Sequence, residues 1–214
     1  MLRPLLALTA LALAAAPAAA QNLLADSGFE SPVAPANGFF TYGAPQTFGA
    51  WTVEAGSVDL LNNYFAPNTG AQSVDLDGSS PGAIYQDFAT TVGQSYAVQF
   101  FMAGNVEGGA AIKRVELFWG PSAGALTSLG VFSFDVTGRT RTNMGWALRD
   151  AGLATATSTS TRLAFRSLSA FGANGAVLDD ASVVAAAVVP EPSTYALLGL
   201  ALPLLGAAAR RRRA

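Results

Sequence analysis

Short runs of alternating apolar and polar residues, interrupted by Gly, Pro, Asn and Ser, constrain the fold of this chain most. In one run, Tyr96, Val98, Phe100 and Met102 occupy every second position. A period of two predicts a β-strand with one buried and one wet face. The 3.6-residue period of a helix is not evident between the runs. The candidate strands are AWTVEAGSVDLL, QSVDL, AIYQDFAT, SYAVQFFMA, IKRVELFW, GVFSFDV, STRLAFRSL and AVLDDASVV.

About eight or nine strands with turn residues between them predict an all-β domain. The sequence shows no internal repeat, which a propeller or a solenoid would need. We therefore expect a jelly-roll β-sandwich over residues 22–186. A domain of that length can bury a substantial core on its own.

The first twenty residues have the pattern of a secretory signal peptide. Arg3 precedes an apolar Leu/Ala run, and the small residues Ala18, Ala19 and Ala20 follow it. This order of charge, apolar core and small residues predicts cleavage after Ala20. The alternative is an N-terminal core helix, which would alternate polar with apolar positions.

Residues 187–214 have the pattern of a short membrane segment. Pro190, Glu191 and Pro192 precede a stretch without charge over residues 194–209, and the anchor arginines Arg210, Arg211, Arg212 and Arg213 follow. As a helix the stretch would span roughly 24 Å at ~1.5 Å per residue, less than the ~30 Å core of a bilayer. We expect a short hydrophobic helix with transient membrane insertion and cytoplasmic arginines. An ordinary tail anchor is the alternative.

Composition excludes several classes of function. The chain has no Cys and no His, which rules out Ser-His-Asp and Cys-His nucleophiles and Cys/His zinc sites. Residues 21–189 carry seven basic and thirteen acidic side chains, a net charge of −6. An acidic domain without a basic stripe argues against nucleic-acid binding. An enzyme here would depend on a carboxylate pair or on an oxygen-ligated metal.

Carboxylates at the two ends of the domain are candidate metal ligands. Glu30 lies in SGFES near the start, and Asp179 and Asp180 lie in VLDDASV near the end. A sandwich commonly brings its first and last strands together, and adjacent carboxylates repel unless hydration, a proton or a cation relieves them. A hard cation such as Ca²⁺ takes oxygen ligands of this kind. Solvated turn carboxylates are the alternative.

Two further sets of residues are candidates for sugar binding. Asp75 and Asp77 in SVDLDGS lie on the same face of a predicted strand. They could form a sugar-binding patch or a second metal site. Alternatively, this face is simply solvated before the turn that follows. Tyr64, beside Asn63 in LNNYFAPN, is predicted on an exposed loop, where its ring could stack on a sugar. Arg139 and Arg141 in RTRTNMGW could face an anionic polysaccharide or pair with surface carboxylates.

The segment VPEPSTYALLGLALPLLGAAARRRRA resembles the PEP-CTERM sorting signal, with Pro-Glu-Pro, a short apolar helix and a terminal arginine cluster in order. The resemblance implies recognition by an exosortase in a Gram-negative bacterium that makes exopolysaccharide. Pro190, Glu191 and Pro192 would form the recognition strip. The final location would be the cell envelope, the outer surface or the extracellular matrix.

The domain resembles the choice-of-anchor C family, a relative of the DUF642 proteins. The motifs NLLADSGFESP, SVDLDGSSPGAIYQDFATTVGQSYAVQFFMAGN, DVTGRTRTNMGW, TSTSTRLAFRSL and GAVLDDASV carry the resemblance. It implies a galactose-binding-like jelly roll that binds carbohydrate. It also implies a structural Ca²⁺ between the N-terminal and C-terminal strands, with Glu30 and Asp180 as ligands and Asp179 as a weaker candidate.

These observations lead to one functional hypothesis and two alternatives. The hypothesis is an exported, non-catalytic surface or exopolysaccharide-matrix protein that binds polysaccharide or cell-wall glycan. A structural adhesion or matrix component that binds other proteins is the first alternative. A carboxylate-dependent glycan-active enzyme is the second, and it needs two carboxyl groups about 5–9.5 Å apart.

Overall fold

The computed structural model describes residues 21–170 and 172–187. In these residues the chain forms twelve β-strands and no helix. The described part thus contains no helix with the length and apolarity to cross a membrane. The predicted signal peptide, with residues 1–20, and the sorting segment, with Pro190 to Pro192 and Arg210 to Arg213, lie outside the described residues.

The strands are of two to ten residues. In chain order they are β1 Gly38–Gly43, β2 Thr47–Phe48, β3 Trp51–Ala55, β4 Ser57–Asn62, β5 Gln72–Asp75, β6 Ala83–Ala89, β7 Ser95–Gly104, β8 Ile112–Pro121, β9 Thr127–Asp135, β10 Ala147–Thr155, β11 Ser160–Ser167 and β12 Ala176–Ala185.

Two six-stranded antiparallel sheets pack face to face, which confirms the predicted all-β sandwich. The first sheet has the order β1-β4-β5-β12-β7-β10 and the second has the order β2-β3-β6-β11-β8-β9. The core lies between them, where Phe100 of β7 meets Phe165 of β11 edge to face, with ring centroids 5.1 Å apart. Alternation fixes which residues face inward: Val98, Phe100 and Met102 are fully buried.

One candidate strand, AWTVEAGSVDLL, is in fact two strands in different sheets. β3 belongs to the second sheet and β4 to the first, and Gly56 is the residue between them. Gly56 has φ of 58°, and a Cβ there would lie 1.9 Å from the carbonyl oxygen of Pro81. Only glycine fits this crossing point, because any side chain would clash with backbone.

The N-terminal segment is fixed beside the last strand, as the sequence predicted. The N–H of Leu23 donates to the carbonyl oxygen of Val183 at 2.8 Å. The buried side chain of Gln72 also holds this segment: it donates to the carbonyl of Phe29 at 2.7 Å and accepts from the N–H of Ala34 at 2.6 Å. The start and the end of the domain are therefore neighbours.

Candidate functional site

The structure brings Glu30, Asp179 and Asp180 together around the loop over residues 68–72. Glu30 Oε1 accepts the backbone N–H groups of residues 71 and 72, at 2.8 and 3.0 Å. Asp179 Oδ2 accepts the N–H of Asn68 at 2.8 Å. Asp180 accepts the Asn68 side-chain amide and the Thr69 hydroxyl, both at 2.7 Å. The three carboxylates thus bind hydrogen-bond donors of one loop.

The electrostatics of this cluster are unfavourable for Asp179. Its side chain is fully buried, and burial raises the pKa of Asp179 to about 7, with the adjacent Asp180 charge adding to the increase. The N–H donors of the loop oppose this shift because they favour the ionised form. The loop is therefore attached to the C-terminal strand through a buried carboxylate that is electrostatically unfavourable but well hydrogen-bonded.

These contacts also test the fit of the predicted Ca²⁺. Five of the six carboxylate oxygens of Glu30, Asp179 and Asp180 already accept a hydrogen bond. Among the residues that the structure describes, no three acidic side chains are arranged to hold a metal ion. The arrangement fits a loop anchor better than a cation cage, and the calcium site stays a prediction.

Asp75 and Asp77 are buried, with 1% and 0% of their surface exposed, so a sugar in solvent does not reach them. This differs from both the sugar-contact and the wet-face interpretations of SVDLDGS. Asp75 accepts three hydrogen bonds, from the N–H groups of Asp77 and Gly175 at 2.9 and 3.0 Å and from the Asn105 amide at 2.7 Å. Its partners show that it positions two loops.

Burial dominates the electrostatics of Asp75. It raises the pKa of Asp75 to about 8, against the hydrogen bonds from Asp77 and Asn105, and the charges of Asp77 and Asp59 raise it further. Asp59 lies directly opposite Asp75 in the β4–β5 ladder. Its own pKa is raised by burial, although the Thr41 hydroxyl donates to it at 2.6 Å.

An open groove of about 400 Å³ lies over the outer face of β1 and β4. Phe39 of β1, 43% exposed, meets the ring of Tyr64 edge to face, with centroids 5.4 Å apart. The groove combines these rings with polar groups, as sites for hydroxylated ligands do. Its lining includes Phe39, Asp59, Tyr64, Ser79, Glu107 and Asn174.

Arg141 and Glu107 fix the orientation of Tyr64. The guanidinium carbon of Arg141 lies 4.1 Å from the centroid of the Tyr64 ring, and Arg141 donates to the Tyr64 hydroxyl at 2.8 Å. That hydroxyl donates to Glu107 Oε2 at 2.8 Å, and Glu107 Oε1 pairs with Arg141. Arg141 thus pairs with a surface carboxylate, which was one of the two alternatives for it.

Sequence reasoning found Tyr64 but missed most of its neighbours. Asn63 is exposed, as expected, but it is not among the residues that line the groove. Phe39 was missed because GFFTYG was not among the candidate strands. The signal in GFFTYG was a period of two: Phe39, Thr41 and Gly43 alternate with Phe40 and Tyr42, which predicts a strand with these two sets on opposite faces. Glu107 comes from the glycine-rich segment GNVEGGA, which reads as an ordinary turn.

Comparison with known families gives two matches. The family described as "Protein of unknown function (DUF642)" matches residues 22–183. The PEP-CTERM protein-sorting motif matches residues 188–213. Such a motif implies export and a cell-surface location. The more specific assignment to the choice-of-anchor C family stays a prediction.

Comparison with individual proteins gives one curated relative and several structures. Halomucin of Haloquadratum walsbyi is 28% identical over 170 residues, which are 76% of this chain and 2% of Halomucin. The arabinose-bound α-L-arabinofuranosidase MgGH51 is 12% identical with a TM-score of 0.51, over 77% of this chain and 26% of that one. TmCBM61 with β-1,4-galactotriose is 15% identical with a TM-score of 0.46, over 78% of this chain and 99% of that one. The likeness to MgGH51 is one of fold.

Proposed function

The chain belongs to the DUF642 family, and from this premise we propose that it is an exported, non-catalytic protein whose β-sandwich binds glycan. The single observation that carries the proposal is the groove with Phe39 and Tyr64 on its wall. The C–H faces of sugar rings stack on aromatic side chains, and their hydroxyls bond to carboxylates and amides such as Asp59 and Asn174. TmCBM61 is named with β-1,4-galactotriose and MgGH51 with arabinose, and both ligands are carbohydrates, the class of ligand proposed for this groove.

The contacts of Glu107 favour binding over catalysis. A glycosidase needs one carboxyl group as acid and a second as base or nucleophile. Asp59 and Glu107 are the two acidic residues that line the groove. Both oxygens of Glu107 are engaged, one by Arg141 and one by the Tyr64 hydroxyl. A carboxylate paired with a cation is a poor general acid, since the cation favours its ionised form.

For the route to the surface we propose a cleaved signal peptide over residues 1–20 and processing by an exosortase in a Gram-negative bacterium. The PEP-CTERM match supports the second step. The acidic domain, with its net charge of −6 and no Cys, is compatible with export. The finer proposal is a role in the cell envelope or exopolysaccharide matrix, with adhesion to other proteins as the alternative.

The test is binding of the purified protein to a glycan array, followed by affinity electrophoresis with the polysaccharides that score. Phe39→Ala should lower affinity about tenfold, which corresponds to about 1.4 kcal/mol. Phe40→Ala is the matched control, because Phe40 is the neighbour of Phe39 on β1, is equally exposed at 45%, and does not line the groove. Equal affinity of the two variants would place binding elsewhere.

Two further outcomes would overturn the proposal. No binding to any glycan on the array, together with specific binding of a surface protein, would favour the adhesion alternative. Release of reducing sugar from a bound polysaccharide, abolished in Asp59→Asn, would show that the protein is a glycan-active enzyme.

A further inference from the structure

The carboxylates of Asp59, Asp75 and Asp77 cluster at one edge of the groove. Asp59 and Asp75 lie directly opposite each other on β4 and β5, and Asp77 follows β5 two residues later. Like charges in directly opposite positions destabilise a sheet. Asp59 is half-buried at the groove, whereas the other two lie under the loops that contain Asn105 and Gly175.

Asp77 has no hydrogen-bond partner for either side-chain oxygen among the residues that the structure describes, and none of its surface is exposed. Buried polar atoms are nearly always bonded, and an isolated buried carboxylate costs several kcal/mol. Asp75, two residues away, accepts three hydrogen bonds. Asp77 is thus a buried carboxylate that the described protein donors leave unsatisfied.

The carboxylates of Asp75 and Asp77 converge at Gly175. A Cβ on Gly175 would lie 2.8 Å from Asp75 Oδ1, 2.8 Å from Asp77 Oδ1 and 2.5 Å from Asp77 Cγ. Any side chain at this position would therefore occupy the space where the two carboxylates approach each other. Glycine lets both carboxylates lie against the backbone at this position.

Lys113 is the nearby cation, and its ammonium is already bonded. Its Nζ donates to the carbonyl oxygens of Gly108 and Asn174 at 2.5 and 2.7 Å. It forms no ion pair within 4.0 Å in the described structure. Its charge acts on Asp75 and Asp77, and with Asp59 the cluster has three carboxylates and one ammonium, an excess of negative charge.

We propose that Asp77 binds a Ca²⁺ ion through its two unpartnered oxygens, with the hydrogen-bonded carboxylate of Asp75 as the neighbouring negative charge. Hard oxygen ligands of this kind suit Ca²⁺, which completes its shell with backbone carbonyls and water. The site is separate from Glu30, Asp179 and Asp180, and it does not depend on glycan binding. Because Asp75 also bonds Asn105 and Gly175, the ion would fix the two loops that form one wall of the groove.

The test is calorimetric titration of the full protein with CaCl₂ after dialysis against EDTA. Asp77→Asn keeps the shape and removes the charge, and we expect the loss of one equivalent of bound Ca²⁺ or at least a tenfold weaker affinity. Asp150→Asn is the control, because Asp150 is an exposed carboxylate on β10. Asp180→Asn tests the separate site predicted at Glu30, Asp179 and Asp180. It should leave the equivalent of Ca²⁺ bound at Asp77 unchanged.

Unchanged Ca²⁺ binding in Asp77→Asn would overturn the proposal, and so would wild-type protein that binds no Ca²⁺. Circular dichroism checks that each variant is folded. If Asp77→Asn does not fold, Asp59→Asn provides a second measurement, because it removes a neighbouring charge at the accessible edge of the cluster. We expect several-fold weaker Ca²⁺ affinity in Asp59→Asn, and wild-type affinity there would contradict the proposal.

Discussion

The buried carboxylate of Asp179 accepts a hydrogen bond from the backbone N–H of Asn68 at 2.8 Å, across 111 residues of sequence. It also accepts from the N–H groups of Thr69 and Asp180, at 3.3 and 2.7 Å. Asp179→Ala would leave these donors without a partner, at about 1–3 kcal/mol for each buried group that water cannot reach. We expect the free energy of unfolding to fall by about 2–4 kcal/mol in urea titrations. Asp150→Ala, at an exposed position, should change it by less than about 1 kcal/mol.

The Ca²⁺ prediction for Glu30, Asp179 and Asp180 can be tested apart from the site at Asp77. In the Asp77→Asn variant, thermal unfolding is recorded in CaCl₂ and in EDTA. A bound ion stabilises the folded state by mass action, so a site at Glu30 and Asp180 would raise Tm in CaCl₂. Superimposed curves would show that these residues hold the loop without a metal.

Gln72 should contribute more to stability than an exposed glutamine. Its buried amide donates to the carbonyls of Phe29 and Pro32 and accepts from the N–H of Ala34. Gln72→Leu removes all three bonds, and we expect a loss of about 2–4 kcal/mol in the free energy of unfolding. Gln46→Leu is the control, since Gln46 is exposed and accepts one bond, from Gly43. Similar losses in both variants would contradict this role.

Stability in calcium-free buffer should fall as pH rises above about 4. The pKa of Asp75 is raised to about 8 and that of Asp179 to about 7 in the folded protein, from 3.8. Between the unfolded and the folded values the folded state binds more protons, so deprotonation favours unfolding. The stabilisation is complete below pH 4 and is lost by about pH 8. Urea titrations from pH 4 to 8 measure this slope, which should be smaller in Asp75→Asn.

Export should remove the arginine cluster at the C-terminus. If the PEP-CTERM motif is processed, intact-mass spectrometry of the mature protein will show a chain without Arg210 to Arg213. Glu191→Ala in the recognition strip should leave the chain uncut and retained with the cells. Mature wild-type protein that still ends at Ala214 would contradict processing.

The period-two alternation predicted the class of fold because it records only which side of a strand is buried. It did not show that a run could change sheets, and Gly56, where β3 becomes β4, looked like part of one strand. β10 was missed for a related reason. It is an edge strand with a register shift between Asp150 and Leu153, and its exposed leucines do not mark a buried face.

The candidate sites were predicted unevenly. The meeting of Glu30 with Asp179 and Asp180 followed from the closeness of first and last strands in a sandwich. The burial of Asp75 and Asp77 could not be predicted, because the outer face of a sheet is wet unless loops cover it. Here the loops that contain Asn105 and Gly175 do so, and nothing in their sequence states where they pack.

β12 separates the groove from the point where the chain leaves the sandwich. Asn174, which lines the groove, lies two residues before the start of β12, and the segment after Ala185 continues from the opposite end of that strand. Ten residues of strand, at about 3.3 Å each, put roughly 30 Å between the two. If the segment after Ala185 leads to a membrane tether, as proposed above, the groove lies at the end of β12 away from that attachment point, where polymers outside the cell can reach it before processing.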